Sequence, residues 1–174
     1  MTAIKTLIVA AFMVCTLGCT FAPNVTIDYP VPLDDEVRAL TVDICSEYHI
    51  DPAIVFAMMD VESDYNTNAM GDRGQAFGLL QVQPRWHGDR INRLECWDLY
   101  DPANNVTVAV DYLAELLDKY DGDMGMALTA YNRGAYGAQR DLFSKGIYES
   151  EYSKKVLEEA QKLTEGAYTV VHTR

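Results

Sequence analysis

From residue 34 onward the apolar positions recur at helical spacing, interrupted by one long glycine-bearing stretch. Asp34 or Asp35 can cap a first helix whose apolar positions Val37, Leu40 and Ile44 fall at i, i+3 and i+7. Asp51-Pro52 opens a second helix that runs through Ala53 to Met59 and on to about Ser63. An irregular stretch with glycines at 71, 74 and 78 follows, and Gly71 to Val82 has room for a small hairpin. Asp101-Pro102 opens an amphipathic helix carrying Val106, Ala109, Val110, Leu113, Leu116 and Leu117. Another helix starts near Asp123 and stops at Asn132-Arg133-Gly134, and a last one spans about residues 149–164. The predicted class is a mostly α domain over residues 34–165. A proline-bearing linker over 19–33 precedes it, and a tail of residues 166–174 has no assigned place.

Ahead of the linker the pattern changes. Lys5 and the apolar run Thr6 to Leu17 read as an export signal over residues 1–18, too short to span a bilayer. Two processing sites are written there. Thr16-Leu17-Gly18 is a small-x-small cleavage site, while Leu17-Gly18-Cys19 is like the end of a lipobox that would leave Cys19 as a lipid anchor. The expected location is the cell envelope, secreted or lipid-anchored. Cys45 and Cys96 are the two cysteines of the folded part, readable as one disulfide or as two separate buried thiols. The net charge of -12, with no Lys/Arg-rich run, excludes nucleic acid and an anionic lipid surface as partners. A chain of 174 residues suits one domain, expected to be a monomer.

One acid stands out. Val55, Met58, Met59 and Glu62 fall at i, i+3, i+4 and i+7, so Glu62 extends an apolar stripe. A carboxyl there is desolvated and meets the negative end of the helix dipole, and both effects raise its pKa toward that of a general acid. The ordinary alternative is a glutamate that swings into solvent at a helix end.

The residues around Glu62 favour the catalytic reading. Glu62-Ser63, Gly78-Leu79-Leu80-Gln81, Asp101-Pro102 with Asn105, and Ala130-Tyr131-Asn132-Arg133-Gly134 follow one another in that order. The series resembles the soluble lytic transglycosylase family, which shares a lysozyme-like core with goose-type lysozymes, and it covers about residues 36–163. The resemblance implies a peptidoglycan-cleaving enzyme that cuts the β-1,4 bond between N-acetylmuramic acid and N-acetylglucosamine. Glu62 is its catalytic acid, with the Tyr131 hydroxyl bonding and orienting it, and Tyr152 is the second active-site tyrosine. Ser63, Gln81, Gly78 and Asn132 belong to the substrate site, Gly78 by letting backbone approach the sugar. No cofactor or metal is expected. Asp118, Asp121 and Asp123 lack the spacing of a calcium loop and read as a turn and a helix cap, and the three histidines are scattered.

Ordinary glycosidases need two carboxyl groups, about 5–5.5 Å apart when retaining and about 6.5–9.5 Å when inverting. Transglycosylases need one, which acts as acid and then as base while the sugar's 6-hydroxyl closes a 1,6-anhydro ring. Gly71-Asp72-Arg73-Gly74 is similar to the corresponding loop of goose-type lysozymes, which are hydrolases, so Asp72 is a candidate second carboxylate; Gln83 stands where a further acid is found in that family. The alternative for Asp72 is a plain turn residue. Transglycosylase is the preferred expectation, with a hydrolytic muramidase second and a non-catalytic wall-binding protein third.

Overall fold

The second helix is the axis of the molecule. All seven residues from Ala53 to Met59 are buried in α2 (Pro52–Ser63), so this helix is enclosed on every side rather than along one stripe. Asp51 starts it by accepting from the Ala53 N–H, and Pro52 fills the first turn, where its missing N–H costs nothing. Fully burying a side chain such as Phe56 or Met59 is worth about 1.5–3 kcal/mol, which explains why an uninterrupted apolar run becomes the centre of the core.

The computed structural model describes residues 24–172. The export signal of residues 1–18, the lipidation reading of Cys19 and the start of the linker lie outside the described residues. Around α2 pack α1 (Asp35–Glu47) and α7 (Glu151–Gly166). The next layer comprises α4 (Pro102–Lys119), which packs on α1, and α5 (Met124–Arg133), which packs on α4 and α7. Asp101 and Asp123 cap these two helices through their side chains, so the acidic turn of residues 121–123 is a helix start. The mostly α class expected from the pattern is the class observed. Among the described residues no helix is long and apolar enough to cross a membrane.

The glycine-bearing stretch holds the predicted hairpin, with β2 (Met70–Gly71) antiparallel to β3 (Ala76–Phe77). Two helices were not legible in the pattern. The first, α3 (Pro84–Leu94), packs on α4 and buries only Ile91, and α6 (Ala135–Asp141) buries only Ala138. Short helices with one buried residue leave no apolar period to read.

The linker and the tail meet. After β1 (Asn24–Asp28), Tyr29 and Val31 enter the core, with the Tyr29 ring 5.2 Å from that of Phe56. β1 pairs antiparallel with β4 (Tyr168–His172), Asn24 opposite His172 and Asp28 opposite Tyr168. The unplaced tail is thus the partner strand of the segment that precedes α1.

The disulfide reading gives way to its alternative. Cys45 and Cys96 are separate, buried free thiols. Burial, with Asp51 nearby, pushes the Cys45 thiol up to about 12, and the Cys96 thiol donates to the Leu94 carbonyl.

Candidate active site

A cleft of about 870 Å³ opens beside the C-terminal end of α2, with Glu62, Asp72, Gln81, Tyr131 and Asn132 among the residues lining it. Its size is that of a site for a substantial organic ligand. Glu62 is brought there by the length of α2: once the enclosed run ends at Met59, the last turn emerges at the cleft, and Asp64 closes the helix in the left-handed region. Burial raises the Glu62 pKa to about 7, partly offset by the neighbouring Tyr152 hydroxyl.

Two tyrosines lie near this carboxyl, and the bond expected from Tyr131 is made elsewhere. The Tyr131 hydroxyl donates to the Leu80 carbonyl at 3.0 Å rather than to Glu62, which ties α5 to the loop before Gln81. Tyr152, on α7, has the buried hydroxyl beside Glu62, and no hydrogen-bond partner is in place for it. The hydroxyl is placed to donate to the carboxyl as that group ionises. Burial and the Glu62 charge hold both phenols well above their ordinary pKa. Tyr152 is fixed by the start of α7, where Ser150 and Ser153 cap one another and the Ser150 N–H also donates to Thr129 of α5 at 3.0 Å.

Gln81 has a positive φ of 47° and donates from its side-chain amide to the Gly78 carbonyl at 2.9 Å. Gly71 makes room for it, since a Cβ there would stand 2.1 Å from Gln81 Oε1. Ser63 and Gly78 are not among the lining residues, and their contacts explain why. The Ser63 hydroxyl donates to the carbonyls of Met59 and Leu79, a tie between α2 and the loop. Gly78 is buried, and a Cβ on it would lie 2.4 Å from both Asn105 Nδ2 and the Leu99 carbonyl oxygen. Its lack of a side chain lets the loop pack closely against Asn105 and the Leu99 backbone. Gly134, at φ 72°, simply separates α5 from α6.

Asn105 is the fastener of the loop. Wholly buried on α4, it donates to the Phe77 carbonyl at 2.8 Å and the Leu99 carbonyl at 2.9 Å, and accepts from the Leu80 N–H at 2.9 Å. Three backbone groups that precede Gln81 or α4 are satisfied by one amide.

Asp72 lies on the exposed turn of the hairpin with φ 45° and pairs with Arg85 at 3.2 Å. It lines the same cleft as Glu62 but belongs to the rim, where its partner is a cation and not the acid.

Sequence reasoning passed over one wall. His87 and Arg90 of α3 and Tyr112 and Glu115 of α4 line the cleft as a connected group. Arg90 donates to Asp111 at 2.6 Å and to Glu115, and its guanidinium lies 4.9 Å from the Tyr112 ring centroid. Burial pushes Asp111 up, but hydrogen bonds from Arg93 and Arg90 outweigh it and hold the carboxyl below its ordinary value. A guanidinium can only donate, so at the 2.9 Å contact between Arg90 and His87 Nδ1 the imidazole accepts and carries its proton on Nε2. Burial and the Arg90 charge lower the His87 pKa to about 4, so the ring is neutral near neutral pH. The i, i+3 spacing of His87 and Arg90 was a signal, but only once residues 84–94 were known to be helical.

Residues 43–154 match the transglycosylase SLT domain. The membrane-bound lytic murein transglycosylase C of Actinobacillus pleuropneumoniae is 32% identical over 134 residues, covering 66% of this chain and 36% of that protein. Its counterpart in Haemophilus ducreyi is 34% identical over 127 residues, covering 62% of this chain and 34% of that protein. The chain thus spans about a third of the length of these curated relatives. Among solved structures, the 70 kDa soluble lytic transglycosylase of Escherichia coli superposes with a TM-score of 0.65 at 19% identity, over 77% of this chain and 24% of that one. An inactive variant of the Pseudomonas aeruginosa lytic transglycosylase Slt gives 0.60 at 23% identity, over 73% and 24%. These two show the shared fold. With the family match covering well over half of its residues, the chain belongs to the transglycosylase SLT domain family.

Proposed function

We propose that this protein is a peptidoglycan lytic transglycosylase that cleaves the β-1,4 bond between N-acetylmuramic acid and N-acetylglucosamine and leaves a 1,6-anhydro end. The observation that carries the reading is Glu62, an acid lining the cleft whose pKa burial raises to about 7. At that value both of its protonation states are accessible at neutral pH, as a group that must act as acid and then as base requires. Protonated Glu62 gives its proton to the glycosidic oxygen as the bond to C1 breaks, and the substrate's acetamido group supports the oxocarbenium-like centre. The Glu62 carboxylate then takes the proton of the 6-hydroxyl as O6 bonds to C1, which restores the acid with no water consumed. Gln81 and Asn132 supply amide groups for sugar hydroxyl and acetamido contacts, and Tyr152 supplies a phenol beside the carboxylate.

The position of Asp72 favours this reading over hydrolysis. An exposed carboxylate engaged by Arg85 is poorly placed to hold a water for attack on C1. The names of the curated relatives support the same activity. An envelope location, a lipid anchor on Cys19, a monomeric state and an export signal ending at residue 18 belong to the proposal, whereas the boundaries expected at 33 and 165 give way to the pairing of β1 with β4. The direct test is Glu62→Gln, which keeps the size of the side chain and removes its acid. The variant should bind isolated sacculi and release no soluble fragments. Release at the wild-type rate would refute the assignment.

A further inference from the structure

Trp86 and Tyr136 are the two most exposed large apolar side chains among the described residues, at 71% and 77%, and both line the Glu62 cleft. The remaining exposed ones, such as Trp97 and Met70, do not. Leaving such rings in water is unfavourable, and their concentration in one cleft marks a surface that something covers. They come from two separate elements, α3 and α6, so no single helix face accounts for both.

Each ring is also held. The Arg85 guanidinium lies 5.0 Å from the Trp86 ring centroid, and Arg85 is itself fixed by Asp72 at 3.2 Å and by Gln75. The Arg140 guanidinium lies 5.6 Å from the Tyr136 centroid and is fixed by both oxygens of Asp141, at 2.6 and 2.7 Å. An ion-paired arginine backing an aromatic ring restricts the ring and leaves its other face for a ligand.

We infer that Trp86 and Tyr136 are stacking platforms for pyranose rings of the glycan strand along the Glu62 cleft, with Asp72 and Asp141 as the positioning residues behind them. This rests on the reading of the cleft as a glycan site. A pyranose presents a face of C–H bonds that packs on an aromatic ring while its hydroxyls stay at the edge, which suits rings that are apolar yet solvent-facing. The occupant must therefore be longer than the disaccharide at Glu62. Asp72 thereby acquires a role that needs no water.

Binding to the full chain carrying Glu62→Gln tests this without turnover. Calorimetry with peptide-free glycan strands of two and of six sugars should show tighter binding of the longer one. Trp86→Ala and Tyr136→Ala should each weaken hexasaccharide binding about tenfold, leave disaccharide binding unchanged and keep the thermal midpoint. Trp86→Phe and Tyr136→Phe should restore it. Equal affinity for both lengths, or alanine variants that bind the hexasaccharide as tightly as the parent, overturns the inference. Neither result depends on cleavage: a wild-type protein that yields no anhydro ends would refute the proposed activity and leave the platforms standing.

Discussion

A glutamate with a pKa of about 7 sets two pH dependences of known sign. The proposed cleavage requires the protonated form at the start, so activity should fall as pH rises through about 7, which a rate profile on isolated sacculi measures. The neutral His87, held down to about 4, should add no inflection between pH 5 and 8. Folding responds as well. The folded pKa of Glu62 lies above the unfolded one, so its contribution to stability is fully present below about pH 4 and is lost as pH rises through 7. Glu62→Gln removes that loss. The variant should gain stability over wild type by about 1–3 kcal/mol between pH 5 and 8 in thermal unfolding. A difference that does not change with pH would mean that Glu62 is solvated. The identity of this residue was legible in the sequence, but the stripe that pointed to it was not the cause. The helix is buried all round, and Glu62 reaches the cleft because the buried run ends one turn earlier.

The loop before Gln81 depends on elements that hold it from behind. Asn105→Ala leaves the Leu80 N–H and the Phe77 and Leu99 carbonyls without their partner, at a cost of about 3 kcal/mol or more, checked by denaturant unfolding. Gly78→Ala should be at least as harmful, because its Cβ would meet the Leu99 backbone oxygen and Asn105 from a left-handed conformation. Near-wild-type stability of either variant would show that the loop has another support. The motif residues of this loop were visible in the sequence, whereas their division of labour was not. Ser63, Gly78 and Asn105 build the support, and Gln81 faces the cleft. Spacing cannot tell a side chain that faces a ligand from one that faces a carbonyl. The wall of α3 was invisible for a different reason: its polar, arginine-rich face looks like a solvated loop until Asp111 and Glu115 of α4 are set against it.

At the scale of the whole molecule, a helical core is closed by its two ends, the strand before α1 pairing with the strand after α7. That closure joins segments more than a hundred residues apart, which a pattern read along the chain does not register. The thiols give a simple check of the packed core. Alkylation after denaturation without reductant should label both Cys45 and Cys96, and in the native protein Cys45 should stay unlabelled; a peptide pair linked through them would contradict the fold as described. The account as a whole turns on what the Glu62 cleft does to a glycan strand. The most direct measurement is the mass of the fragments released when the purified protein digests isolated sacculi. Anhydro-muramic ends, lighter by one water than reducing ends, are the result predicted. Reducing ends would mean that a water enters the reaction, and would contradict the single-carboxyl mechanism.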